Sequence, residues 1–407
     1  MGGDPGAPSS TLHERGQRLD SLTGVRALAV LLVVATHAAY GTGKLTHGYL
    51  GLVYSRLEIG VPIFFVLSGF LLFAPWVRAA AAGLPPPHIG GYARRRVRRI
   101  MPAYVLTVVF AYLLLHLHPA EVNPGQTWTG FLRYLTLTQI YTDNYLTTLL
   151  HQGLTHIWSL AVEVAFYAVL PLLAYLLLVV LCRGRWRPER LLAGLAAMAA
   201  VSPAWVIVVN ATDWLPSSAG MWLPAHLACF AGGMALAVLR AMEIRVYSAA
   251  VIPLALISFL VVSTPIAGEV SMAPVMLFQP LTKTVFYAVI ATLVVAPLAL
   301  GERGAYARLV GSRPMVWLGE ISYEIFLVHV MLMAIAMGVV LRWPLFTGSA
   351  AGLFLVTLAL TIPVAWMLHR VTSPAVRPRS AVLKLRADGD GVTDARACGA
   401  ERAKAQA

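Results

Sequence analysis

The chain has 407 residues, of which 58% are hydrophobic and only 12% charged, with a mean hydropathy of +0.73. A soluble globular domain carries roughly 25% charged residues, so this composition excludes an ordinary soluble protein. The net charge of +13 would suit a nucleic-acid binder, but the positions of the charges exclude that class and tie the excess to membrane topology.

Ten apolar runs follow one another, most of them close to the ~20 helical residues that cross a bilayer. They are 24–40, 59–76, 102–118, 156–181, 191–209, 223–240, 247–264, 281–300, 318–341 and 349–369. They predict an all-α, polytopic membrane helical bundle of about ten transmembrane helices. Residues 1–17 read as a disordered N-terminal tail, 18–370 as the membrane domain and 371–407 as a largely disordered tail; both tails are polar and lack apolar periodicity. Leu84-Pro85-Pro86-Pro87 leads into the arginine run 94–99, and the longest loop, 119–155, carries Trp128, Tyr134, Tyr141 and Tyr145 to cap the bundle or fold back into it. Of the 31 Lys and Arg, 25 fall on the side of the N-terminus and only Lys44, Arg56, Arg133 and Arg342 on the other; Arg26 and Lys283 lie inside spans. Short loops rich in Lys and Arg stay cytoplasmic. Both termini are therefore expected in the cytoplasm, in a multi-pass plasma-membrane protein whose surroundings are lipid and not nucleic acid. Cys182, Cys229 and Cys398 stand apart, which implies neither a metal site nor a disulfide framework. No cleavable signal peptide is expected, because the first apolar run starts late and carries Arg26 at its mouth.

Polar residues inside spans are expensive in hydrocarbon and mark function by default. In the first span Arg26 and His37 are eleven residues apart, about 20° past three full turns, so they share one helix face at ~16 Å axial separation. The fourth span runs the opposite way and places Glu163 ~10 Å below its outer end, at a depth similar to that of His37. A carboxylate there would orient the imidazole and raise its basicity, which makes His37 and Glu163 the catalytic candidates. His156, Ser159, Glu163 and Tyr167 fall on one face at helical spacing. The ninth span adds Glu320, Tyr323, Glu324 and His329, the last ~17 Å in from the cytoplasmic end. Ser68-Gly69 in the second span is a small step for close packing, with no Gly-x-Ser-x-Gly elbow around it. Arg94 to Arg99 are dense enough to bind an anion as well as to set topology, since guanidinium groups grip phosphates in a bidentate manner.

Five segments together resemble the acyltransferase-3 family of membrane O-acyltransferases. They are Arg26 with His37 behind Leu22-Thr23-Gly24-Val25; Gly60-Val61-Pro62-Ile63-Phe64-Phe65-Val66-Leu67-Ser68-Gly69; Arg96-Val97-Arg98-Arg99; Trp158-Ser159-Leu160-Ala161-Val162-Glu163 with Phe166-Tyr167; and Ser322-Tyr323-Glu324 with Leu327-Val328-His329. The resemblance implies a ten-helix fold and no permanently bound cofactor. It implies an acyl-coenzyme A donor, acetyl-CoA in the main, used from the cytoplasm. The acceptor would be a hydroxyl of a cell-envelope glycan, a glycolipid or a small-molecule secondary metabolite. It assigns catalysis to His37 and donor binding to Arg26, Arg96 and Arg99, with Ser68, Tyr167, Glu324 and His329 as further site candidates and no metal. Two features depart from the family pattern. The last span ends in Thr372-Ser373-Pro374-Ala375, where many members carry a Glu-x-Pro-Phe-like segment. No esterase-like domain follows the bundle, so the chain would act without one or with a separate partner. The alternative is a transporter or flippase of an envelope precursor, a class that commonly shows internal repeats with paired broken helices; no such repeat is visible here.

The charge asymmetry makes a direct prediction. Reporter fusions at Gly91, Arg187 and Arg308 should report cytoplasm, and fusions at Pro124 and Ser218 the opposite side. One fusion on the wrong side would break the ten-span topology.

Overall fold

The computed structural model describes residues 7–117, 123–269 and 276–373, with side chains from Asp20 onward. The chain divides into Met1–Leu368, which holds the bundle, and His369–Ala407. Most of the predicted C-terminal tail, from 374, lies outside the described residues, as do positions 1–6 of the predicted N-terminal one.

Every predicted apolar run is helical, and no strand occurs among the described residues. The ten helices are α1 (Ala7–Gly41), α2 (Gly60–Ala81), α3 (Ile89–Leu117), α4 (Trp158–Ala174), α5 (Pro188–Ala211), α6 (Leu223–Ala241), α7 (Ser248–Val262), α8 (Phe278–Leu300), α9 (Ser322–Ile335) and α10 (Ala350–Thr372). Among the described residues, nine segments are long and apolar enough to cross a membrane. The run at 247–264 gives the exception: α7 has only 15 residues, short of the ~20 that a crossing takes. At the ninth run the helix begins later than the apolar pattern. Arg313–Glu320 is a separate short helix, and Ser322 Oγ donates to the Gly319 carbonyl at 2.8 Å where the chain turns into α9. Glu320 therefore lies outside α9.

Small residues set the helix crossings. A Cβ on Gly233 of α6 would stand 1.9 Å from the Val66 carbonyl oxygen of α2, and one on Gly69 of α2 would stand 2.3 Å from that of Phe230 on α6. Phe65 and Phe166 stack on Phe230 from either side, with ring centroids at 4.8 and 4.0 Å. Close backbone approach of this kind is how membrane helices gain packing where hydrophobicity gives no drive. α1 lies against the same framework. Gly60 abuts the Ala29 carbonyl and Val33, while Gly319 abuts the Thr23 carbonyl. α1 and α9 thus run side by side in the same direction, from Thr23 near Gly319 to Gly41 near Met337.

The loop expected over the bundle folds as a cap. It carries a helix, Trp128–Leu135, and buries Tyr134, Ile140, Tyr145 and Leu154. Tyr104 of α3 donates to the Tyr134 carbonyl at 2.5 Å, and the Tyr134 hydroxyl receives the His151 backbone N–H at 3.1 Å.

The α2–α6 crossing should be the least forgiving point of the bundle. Gly233→Ala should lower the thermal midpoint in detergent, because forcing a methyl group into a filled contact costs about 1–3 kcal/mol. Gly220→Ala, where a Cβ would meet nothing within 4 Å, should leave the midpoint unchanged. Equal midpoints for both variants would contradict the packing described.

Candidate active site

A cavity of about 350 Å³ opens among α1, α2, α3, α4 and α9. Three guanidinium groups line it: Arg26 from α1, and Arg96 with Arg99 from the first turns of α3. The remainder of the arginine run, Arg94, Arg95 and Arg98, does not line the cavity; Arg96 is half-buried, and Arg99 is exposed as they are. The spacing explains the division, since residues three apart share a helix face. Within the cavity wall, Arg26 Nε and Arg96 Nε are buried and lack a hydrogen-bond partner among the described residues.

Glu163 is the carboxylate of this cavity. Its Oε1 accepts hydrogen bonds from Ser68 and, at 2.5 Å, from Tyr167 one turn further along α4. Its charge also acts on Arg26. Ser68, read from sequence as a packing step, is thus a hydrogen-bond donor in the cavity wall, supplied by α2 where Gly69 lets α6 approach. Tyr323 closes the α9 side and donates to the Ile100 carbonyl at 3.0 Å, which pins α9 to α3.

His37 is not among the residues lining this cavity. It lies farther along α1 in a layer of three imidazoles. Its ring centroid is 5.0 Å from that of His329 on α9 and 6.4 Å from that of His156, just ahead of α4; His156 and His329 are 4.6 Å apart. Each ring is held by a backbone carbonyl, which can only accept, so the contacting nitrogen carries the proton. His37 Nδ1 donates to Val33 at 2.8 Å, His329 Nδ1 to Phe326 at 2.7 Å and His156 Nε2 to Leu327 at 3.2 Å. The other nitrogens of His156 and His329 are buried without a partner. His37 Nε2 therefore carries the free lone pair of a ring whose tautomer the helix itself fixes. Phe326 joins the two parts of the site: it lines the cavity and packs edge-on against His156 at 4.9 Å.

The expected pairing of His37 with Glu163 is therefore replaced. The hydrogen bonds of Glu163 go to Ser68 and Tyr167, and the ring contacts of His37 are with His329 and His156. The carboxylate whose charge acts on His37 is Glu58, at the entrance to α2. The reason is geometric: His156 shares the layer of His37, and Glu163 follows it by seven residues, ~10 Å along the helix, in the cavity that holds Arg26. Glu324 is buried and does not line the cavity. His156 is the residue that sequence reasoning left out of the site. The available signal was its position on the Glu163 face, one turn ahead of Ser159.

Comparison with known proteins gives the family. Residues 19–370 match the family model described as an acyltransferase domain, Acyl_transf_3. The chain is 29% identical over 392 residues to the acyltransferase MdmB of Streptomyces mycarofaciens, covering 88% of this chain and 92% of the relative. It is 28% identical to the peptidoglycan O-acetyltransferase OatA of Listeria monocytogenes and 24% identical to the O-acetyltransferase OatA of Staphylococcus aureus. In each case 76% of this chain is covered, and the match spans about half of the relative, 48% and 50%. No solved structure is significantly similar to the chain. A match across nearly the whole bundle separates an enzyme from the transporter alternative: the chain is a multi-pass membrane protein and belongs to the acyltransferase 3 family.

Proposed function

We propose that this enzyme transfers an acyl group, acetyl in the main, from acyl-coenzyme A to a hydroxyl of a cell-envelope glycan, glycolipid or secondary metabolite. The observation that carries the donor assignment is the cavity with three guanidinium groups and one carboxylate, two of its buried Nε atoms lacking a partner. Uncompensated charge inside a protein is strongly unfavourable unless a counter-charge fills the site. A phosphorylated donor supplies that charge, and planar guanidinium groups bind phosphate oxygens in pairs. The arginines sit at the end of the bundle that the charge asymmetry assigns to the cytoplasm, where acyl-coenzyme A is made, and this orientation also fits a plasma-membrane enzyme. The acetyl group and hydroxyl acceptor are the reading that the O-acetyltransferase relatives favour.

The chemistry falls to His37. From Arg26 to His37 the site runs ~16 Å along α1, so a donor held by its phosphates extends its thioester toward the imidazole layer. His37 Nε2 takes the proton from the acceptor hydroxyl as that oxygen attacks the thioester carbon. The C–O bond forms, the C–S bond breaks, and the imidazolium returns the proton to the departing thiolate. With its Nδ1 proton held against the Val33 carbonyl, the ring presents Nε2 as the proton-accepting atom. His329, whose ring packs edge-on against that of His37, takes the supporting part expected of Glu163. Glu163, with Ser68 and Tyr167, positions Arg26 in the donor cavity.

Two sets of variants test this reading. Arg96→Ala and Arg99→Ala should each raise the half-saturating acetyl-CoA concentration about tenfold, a loss of ~1.4 kcal/mol, with a smaller effect on the rate at saturation. Lysine at either position should restore only part of the affinity. Unchanged donor affinity in both alanine variants would leave the arginines with topology alone. His37→Ala should abolish acyl transfer at normal protein level. His329→Gln should lower the saturated rate roughly 100-fold, the lower end of a general acid–base contribution, and leave acetyl-CoA affinity intact. Full transfer activity in His37→Ala would remove the catalytic assignment.

A further inference from the structure

We infer that Glu58, Lys283 and Tyr287 form the subsite that holds the hydroxyl-bearing acceptor, at the opposite end of the bundle from the arginines. The inference rests on the acyl-transfer reading above and adds to it a location and a ligand chemistry, a polyhydroxylated molecule such as a sugar.

Glu58 lies in the 3-10 turn Leu57–Ile59 immediately before α2, and Lys283 near the start of α8. They are joined by an ion pair between Lys283 Nζ and Glu58 Oε1. Tyr287, one helical turn beyond Lys283, donates to Glu58 Oε1 at 2.9 Å, and Lys283 Nζ stands 5.4 Å from its ring centroid. A pair serving only to tie two helices together in a membrane would be sealed from its surroundings. This one is open: the side chains remain 36% and 40% exposed. A charge facing hydrocarbon is expensive, and intramembrane charges face the bundle interior or a water-filled space. Here the exposed pair therefore borders water.

The place of the pair in the fold matters as much as its exposure. Gly60, two residues after Glu58, packs on α1 at Ala29 and Val33. Val33 is the residue whose carbonyl receives His37 Nδ1, and the Glu58 charge acts on that histidine. The pair thus approaches His37 from α2 and α8. The arginine cavity approaches the imidazole layer from the other direction, through Phe326. His226, at the start of α6, also lies within the field of Lys283 and Glu58.

The chemistry separates the two ends. The donor cavity has an excess of positive charge and calls for an anion. The Glu58–Lys283 pair offers both an acceptor carboxylate and a donor ammonium, while the nearby Arg56 guanidinium is engaged by the Val262 and Ala267 carbonyls. Hydroxyl groups meet both demands at once, because each donates one hydrogen bond and accepts others. A sugar docked there would present a hydroxyl to His37 Nε2 from the face opposite the thioester.

The test uses the full-length chain in detergent, acetyl-CoA as donor, release of free thiol as the readout, and methyl glycosides of glucose and of N-acetylglucosamine as probes. The parent chain should release thiol faster when a glycoside is added. In Glu58→Gln and Lys283→Met, the half-saturating glycoside concentration, divided by the half-saturating acetyl-CoA concentration, should rise at least tenfold. The reversed pair Glu58→Lys with Lys283→Glu should keep the parent thermal midpoint and still show the raised ratio. An unchanged ratio in the single variants overturns the inference. So does a ratio restored by the reversed pair, which would make the pair a helix tie. A parent chain that hydrolyses acetyl-CoA yet ignores every glycoside overturns the subsite and leaves the acyl-transfer reading standing. A parent chain that releases no thiol under any condition removes both.

Discussion

Arg26, Arg96 and Arg99 meet at one cavity inside a membrane bundle, with Glu163 as the carboxylate among them. Charge in such a place must be paired, hydrated or met by a ligand, and the surrounding structure is arranged to allow this. Glu163 is held by Ser68 and Tyr167, so it cannot swing out to pair fully with any single arginine. The guanidinium groups keep unused donors as a result. A cavity left with surplus positive charge is destabilising for the empty protein and favourable for a phosphate-bearing ligand. Binding energy and local instability have the same source.

The helix crossings keep the residues of this cavity in register. Gly69 and Gly233 bring α2 and α6 into backbone contact, and Gly60 and Gly319 fix α2 and α9 against α1. These contacts decide where Ser68 meets Glu163, and where the Val33 and Phe326 carbonyls hold the His37 and His329 rings. A side chain at any of these glycines would separate helices whose side chains meet across the seam. Packing and chemistry are thus coupled through backbone distance.

Three imidazoles between two polar regions give the molecule a direction. The arginine cavity ends at Phe326, and the open Glu58–Lys283 pair approaches from the other side. A group-transfer enzyme in a membrane has to bring a charged donor and a hydroxyl acceptor to one atom without mixing their binding sites. Helices that alternate in direction provide this naturally. Their opposite ends carry different charges, and only their middle turns share the layer that contains His37.

The sequence by itself determined whatever depends on neighbours along one helix. Apolar runs located all ten helices, because each span satisfies its own backbone hydrogen bonds. The eleven-residue spacing placed Arg26 and His37 on one face, and the spacing of Arg96 and Arg99 separated them from Arg94, Arg95 and Arg98. The motif residues also identified the family. Tertiary structure alone decided which faces meet. Glu163 and His329 stood at comparable depth relative to His37, and an uncertainty of a few residues in each boundary, ~5 Å along the axis, could not choose between them. Ser68 and Glu163 are 95 residues apart in the chain, and His156 and the Leu327 carbonyl 171; no local pattern encodes such pairs. Lys283 read only as a charge inside a span until the fold brought Glu58 beside it. Helical periodicity fixes rotation and rise within a segment, whereas the azimuth between segments is set by the close packing of small residues, and that arrangement gives His37 its neighbours.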